Sequence, residues 1–244
     1  MADSKKLRFK RVVVKLSGEA LASRESGSAI DTTTLRNTAE ELAEIHASGI
    51  QVAVVVGGGN IFRGLRGASQ GMDRAQSDYM GMLATVINAL ALQDALERAN
   101  VPTRVMTAIE ISQVAEPYIR RRAIRHLDRG NVVVFAAGTG NPFFSTDTAA
   151  ALRAMEIRGE ALFKATKVDG IYDKDPIRNP NATLLRNVTY DKFLNDRLGV
   201  MDATAVALCR DNGLPVRVFK AERGNILRAC FGEDVGTTIS ASED

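Results

Sequence analysis

Tryptophan is absent from this 244-residue chain, and histidine and cysteine occur only twice each. His46 and His126 stand in helix-like segments with no other candidate ligand nearby in sequence, so a histidine-built metal site or a Ser-His-Asp triad has little support. Cys209 and Cys230 also lie in helix-like segments without metal-ligand spacing, and they read as buried, reduced thiols rather than as a disulfide framework. No unbroken apolar run approaches the length of a membrane span, and the basic start, Met1 to Arg11, is not followed by a signal-type apolar core. A cytoplasmic protein without a membrane partner is the expectation. Charge of one sign is scarce too: 32 basic against 29 acidic side chains leave a net +3, which makes a nucleic-acid surface unlikely but permits anionic small molecules.

What remains is ordinary globular material, 45% apolar and 25% charged, long enough to bury a sizeable core. No linker-like segment and no repeat of fixed period interrupts it, so residues 1–244 read as a single domain with 1–10 as a flexible N-terminal tail. Buried β-branched strands are expected at Arg11 to Leu16, Gln51 to Val56, Thr103 to Met106, Val132 to Ala136 and Ala161 to Ala165, with Val216 to Phe219 and Thr237 to Ile239 near the end. Between them come helical patterns: Thr32 to Ser48 after Asp31, Ala75 to Ala99, Tyr118 to Arg129, Thr148 to Arg158, Asp202 to Asn212 and Asn225 to Phe231. This alternation predicts an α/β fold, a three-layer sandwich around a mainly parallel sheet. The long pattern Ala75 to Ala99 is more apolar than one core face requires, which leaves part of it for a subunit interface. Arg120, Arg121, Arg122 and Arg125 read as a solvated helix face.

Glycine is concentrated where strands stop. Gly138-Thr139-Gly140-Asn141-Pro142-Phe143-Phe144-Ser145-Thr146-Asp147 joins a strand to a helix, and it reads either as a phosphate-holding loop or as a plain connection with Asp147 as the helix N-cap. Gly57-Gly58-Gly59-Asn60 follows the second strand, and Lys15-Leu16-Ser17-Gly18-Glu19 follows the first. None of these fits a Walker loop or a dinucleotide turn: after Gly57 and Gly59 the third required glycine is Phe62, and after Gly138 and Gly140 it is Phe143. A further strand end carries Lys164 and then Asp169-Gly170, a hairpin or tight-turn signal.

In a parallel sheet these ends share one edge, so Lys15, Lys164, the glycine backbones and Asp147 can face a single cleft. Two lysines and backbone N–H groups suit phosphoryl transfer, which needs positive charge around the moving group and little covalent help; Asp147 would hold the ammonium groups.

The same stretches carry a resemblance. Lys15 to Leu21, Gly57 to Gly64, Asp78 to Thr85, Gly138 to Asp147 and Lys164 to Gly170 together resemble the bacterial uridylate (UMP) kinases, a branch of the amino acid kinase superfamily, over about Arg11 to Ile239. The resemblance implies transfer of the γ-phosphoryl of MgATP to UMP, with Mg²⁺ carried by ATP. It implies that Lys15, Leu16, Ser17, Gly18, Gly59 and Arg63 line the ATP phosphates, and that Thr166, Tyr172 and Asp175 form the adenosine side. UMP would be held by Gly58, Asp78, Thr139, Gly140, Asn141, Pro142, Phe143, Phe144, Ser145 and Thr146. Lys15 and Lys164 would neutralise the moving phosphoryl, and Asp147 would orient them. It also implies a homohexamer, inhibited by UTP and activated by GTP, although Ser23 to Ile30 departs from the glycine-richer loop of GTP-responsive members. Two rivals remain: a superfamily kinase acting on a carboxylate or carbamate, and a uridine-nucleotide sensor that contacts DNA-bound complexes through the arginine helix.

Overall fold

The computed structural model describes residues 7–23, 27–69, 71–176 and 178–242, with the backbone alone at 65, 66 and 68. Met1 to Lys6 and part of the Ser23 to Ile30 loop lie outside the described residues. Within the stretch expected to be a flexible tail, Leu7 and Phe9 pack against the core. Phe9 is buried edge-on against Phe163, with ring centroids 5.7 Å apart, and the Arg8 N–H donates to the Cys230 carbonyl at 3.1 Å.

The first strand, β1 (Arg11–Leu16), lies at the heart of the fold. It pairs in parallel with β2 (Gln51–Val56) on one side and with β6 (Ala161–Thr166) on the other. Outward from β2 come β5 (Val132–Ala136), β3 (Thr103–Thr107) and the two-residue β4 (Glu116–Pro117), all parallel. Outward from β6 come β10 (Val216–Lys220), then β11 (Thr237–Ser240) and β9 (Asn187–Thr189). The β10–β11 pair is the antiparallel join in this nine-stranded sheet.

Consecutive strand residues point to opposite faces, and this sheet is apolar on both. Val12, Val14, Leu16, Val52, Val54 and Val134 face a layer made of α1 (Thr32–Ala47), α3 (Arg74–Arg98) and α8 (Asn225–Cys230). Val13, Val55, Val133, Phe135, Leu162 and Val218 face α4 (Arg120–Asp128), α5 (Thr146–Glu156), α6 (Tyr190–Asn195) and α7 (Ala203–Asp211). Burial on both faces explains why the strands read as continuous apolar runs rather than as alternating ones. The expected three-layer α/β sandwich is what the chain forms. Both cysteines are free and buried, and burial pushes each thiol up to about 12.

Helix α1 begins as its sequence predicts, with the Asp31 carboxylate accepting from the Thr34 N–H at 2.8 Å. Asp169-Gly170 does something other than turn a hairpin. A side chain at Gly170 would come within 2.6 Å of the Thr237 hydroxyl, so the glycine permits close approach to β11. The hairpin forms later, between β7 (Ile171–Tyr172) and β8 (Leu184–Leu185).

By length and composition α3 is long and apolar enough to cross a bilayer. Its buried face nevertheless carries Ser77, Thr85 and Asn88 and packs on the sheet, so it serves as a core helix. Its outer face shows Tyr79, Met80, Leu83 and Ile87, each at least 40% exposed.

Candidate active site

The sheet order puts the four glycine- or lysine-bearing strand ends on adjacent strands, β5, β2, β1 and β6. Lys15 and Lys164 are register partners across β1 and β6. Side chains of paired parallel residues leave the sheet on the same face, and here that face is covered by α5, whose first turn contains Asp147. Asp147 sits between the two ammonium groups: Oδ1 lies 2.9 Å from Lys15 Nζ, and Oδ2 accepts a short hydrogen bond from Lys164 Nζ. The Lys15 contact is an ion pair without hydrogen-bond alignment, which leaves Oδ1 with no aligned donor.

All three groups are largely removed from water, and that sets their acidity. Burial opposes the charge on Asp147, but the fields of Lys15 and Lys164 outweigh it and hold the carboxyl below its ordinary value of 3.8. Burial also lowers Lys164, an effect that Asp147 offsets only in part and the neighbouring Lys15 reinforces. The alternative role for Asp147 as helix cap is not the one observed. Ser145 is the N-cap, its hydroxyl accepting from the Thr148 N–H at 3.1 Å, and Asp147 is thereby free to face the lysines.

A cleft of about 790 Å³ opens on one side of this centre. It is lined by Gly58, Asp78, Thr139, Asn141, Phe143, Phe144, Ser145 and Thr146, together with Gly59 and Arg63. Gly140 and Pro142 share the loop without lining the cleft. The loop is held in an unusual backbone: Ala137, Gly138, Gly140 and Phe143 have φ of 60°, 58°, 82° and 72°. Left-handed values at alanine and phenylalanine cost on the order of 1 kcal/mol or more each and persist only where neighbours enforce them. The enforcing contacts are visible. The Ala137 N–H donates to Thr85 Oγ1 at 2.8 Å, and the Phe143 N–H donates to Asp78 Oδ2 at 2.8 Å. Asp78 also accepts from Arg74 Nε at 2.9 Å, and that guanidinium lies over the Phe143 ring, 5.6 Å from its centroid.

A second cleft, of about 870 Å³, opens on the other side and takes in Lys15, Leu16, Ser17, Lys164 and Thr166. Leu16 is only 3% exposed, so backbone is what it offers. Gly18 is required by packing: a side chain there would meet Asn60 Oδ1 at 2.2 Å and the Gly57 carbonyl at 2.5 Å. The adenosine-side residues are not brought together. Thr166 lines the second cleft, Tyr172 lines a separate polar hollow of about 340 Å³ with Asp169 and Lys220, and Asp175 is exposed beside Arg178.

Several contributors had no site role assigned to them from the sequence. Asp202 was legible only as the cap of α7, yet its Oδ2 accepts from the Ser145 and Thr148 hydroxyls at 2.5 and 2.9 Å, and its N–H reaches Asp147 Oδ2 at 3.3 Å. Glu19 pairs with both Arg63 and Lys167 across the mouth between the clefts. Thr85 ends a stretch that carries the resemblance but had no role assigned to it, and Asn88 lies beyond that stretch inside a plain helical pattern.

The donor set does not make a resident metal site. The one central carboxylate is already shared by two lysines, and among the described residues no three acidic, histidine or cysteine side chains converge. Any Mg²⁺ would be carried by a nucleotide's phosphates, as part of the substrate.

The amino acid kinase family model matches residues 10–220. The chain is also similar to a UMP kinase from Bacillus anthracis, with 43% identity, a TM-score of 0.92, and coverage of 96% of this chain and 97% of the other. A UMP kinase from Ureaplasma parvum gives 38% and 0.89, covering 96% and 100%. A uridylate kinase from Archaeoglobus fulgidus gives 27% and 0.73, covering 94% and 99%. The chain belongs to the amino acid kinase family.

Proposed function

We propose that this chain, acting as one catalytic unit, transfers the γ-phosphoryl of MgATP to UMP, giving UDP and ADP. The observation that carries the reading is the pair of lysines held side by side by strand register, bridged by Asp147, between two clefts large enough for a donor and an acceptor nucleotide. Similarity to two UMP kinases over 96% of the chain supports the choice of acceptor.

In this scheme UMP occupies the cleft beside Asp78 and the Gly138 to Thr146 loop, and the ATP phosphates run along Lys15 to Gly18 with the γ-phosphoryl end reaching Gly59 and Arg63, which border the acceptor cleft. A UMP phosphate oxygen attacks the γ-phosphorus in line, the bond to the β–γ bridging oxygen breaks, and ADP departs. Negative charge moves during that step, and Lys15 and Lys164 are placed to stabilise it from a site that excludes most water. Asp147 keeps both ammonium groups pointed at the transfer path. Thr166, beside the lysines in the second cleft, is read as part of the adenosine side, with Tyr172 and Asp175 farther out along the chain.

UTP is read as an inhibitor competing in the UMP cleft. The exposed apolar face of α3, Tyr79, Met80, Leu83 and Ile87, supports a subunit interface in a homohexamer; whether GTP activates it turns on the Ser23 to Ile30 loop, which departs from that of GTP-responsive members. A cytoplasmic enzyme of pyrimidine nucleotide biosynthesis is the corresponding setting. ADP release from MgATP, measured with UMP, CMP, GMP, AMP and carbamate, tests the assignment. Turnover with UMP in clear preference is expected; turnover with carbamate, or with none, would overturn it.

A further inference from the structure

Asn88 is fully buried on the inner face of α3, among Val86, Ala89 and Leu92. A buried amide in an apolar surrounding must find partners, and Asn88 finds all of them in one loop. Its Nδ2 donates to the Gly57 carbonyl and to Asn60 Oδ1, both at 2.7 Å, and its Oδ1 accepts from Asn60 Nδ2 at 3.0 Å. Asn60 Nδ2 also reaches the Ala29 carbonyl at 2.7 Å, tying the loop to the segment that precedes α1.

The loop is pressed close to the helix. A side chain at Gly58 would come within 2.7 Å of the Gly81 carbonyl and 2.9 Å of the Ala84 methyl. The Ser17–Gly18 turn then rests on the loop, since Gly18 abuts Asn60 Oδ1 and the Gly57 carbonyl. One amide therefore fixes the height of two backbone segments that flank the lysine pair. Three residues earlier on the same helix, Thr85 holds Ala137 at the start of the facing loop.

We propose that Asn88 is a positioning residue for phosphoryl transfer, registering Gly57 to Asn60 and, through Asn60, Ser17 and Gly18 against α3. It touches neither lysine and lines neither cleft itself, so it acts through the loop it holds, whose Gly58 and Gly59 border the acceptor cleft by backbone alone, and its loss disturbs transfer geometry more than acceptor affinity. The inference rests on the phosphoryl-transfer reading above.

The test compares wild type with Asn88→Leu, which keeps much of the volume but removes every hydrogen bond, and with Asn60→Ala, which cuts the same link from the half-buried loop side. Turnover is measured with whichever acceptor the wild type phosphorylates, and UMP affinity by calorimetry. The expected result is a fall in kcat of about 10- to 100-fold, the scale on which a misplacement near 1 Å acts, with UMP Kd within about threefold. The double variant should be slowed by less than the product of the two single effects, because both substitutions remove the Asn88–Asn60 pair. Unchanged kcat, or kcat and UMP affinity falling together, would overturn the proposal. If Asn88→Leu does not fold, Asn60→Ala alone decides by the same criteria. A wild type that ignores UMP strikes the acceptor assignment, while the variant-to-wild-type ratio still judges Asn88.

Discussion

The two clefts that flank Asp147 are built in different ways. The acceptor-side cleft is walled mainly by three stretches, Gly58 to Gly64, the first turns of α3 and the contiguous loop at residues 138–146, and that loop is locked by α3 through Asp78 and Thr85. The donor-side cleft is assembled from five separate places: the end of β1, the end of β6, one side of α1, Val200 and the segment after β10. A contiguous loop writes its purpose into a motif, whereas an assembled surface depends on register and layer packing. The adenosine side shows the extreme case, with Thr166, Tyr172 and Asp175 in three different surroundings. On this comparison, changes at the shared lysine centre should be severe and changes at the dispersed rim mild.

The largest effect is expected at that centre. Lys164→Ala should lower kcat by about 10²- to 10³-fold, the scale for losing one preorganised stabilising donor, with little change in the KM for UMP. Parallel losses in kcat and UMP affinity would mean that Lys164 belongs to acceptor binding.

Asp147→Asn probes the same centre through stability. Removing the charge leaves two buried ammonium groups facing each other, at a cost on the order of 3 kcal/mol near neutral pH. The sign with pH follows from the lowered carboxyl. Its stabilisation is complete above the ordinary value of 3.8 and is lost as pH falls through the depressed folded value. The gap between variant and wild type in urea unfolding should therefore stay constant from about pH 7 to about pH 5. Narrowing within that window would show that the carboxyl is not held down by the lysines.

Asp78→Asn separates the clefts. Asp78 accepts charge-assisted bonds from Arg74 and from the Phe143 N–H, and each is worth about 1.5–3 kcal/mol. Weakening the loop should raise the KM for UMP by roughly tenfold or more and leave MgATP affinity nearly unchanged. Equal losses for both nucleotides would erase the proposed division of labour. The smallest effect is expected at the rim: Tyr172→Phe removes a 3.2 Å contact to an exposed Asp169 and should shift ATP affinity by less than about threefold, since surface contacts of this kind rarely exceed ~0.5 kcal/mol. A large loss there would place Tyr172 at the centre of the donor site.

By itself the sequence determined the layers and the chemistry on offer. Strands buried on both faces must be continuous apolar runs, so Arg11–Leu16, Gln51–Val56 and Val132–Ala136 declared themselves, and glycines at their ends marked where backbone comes close to something. Periodicity of 3.6 identified α1 and α3, while the two-residue strands β4, β7 and β8 carried no period long enough to register. Only tertiary structure decided which strands are neighbours, and hence that Lys15 and Lys164 stand side by side across β1 and β6. It also decided that Ser145 caps α5 so that Asp147 is free for the lysines, and that Asp202 and Asn88 brace loops more than 25 residues away in sequence. Local pattern reports what a residue does to its own segment; a partner across the sheet or across a layer is chosen by strand order and packing, which no stretch of sequence contains by itself.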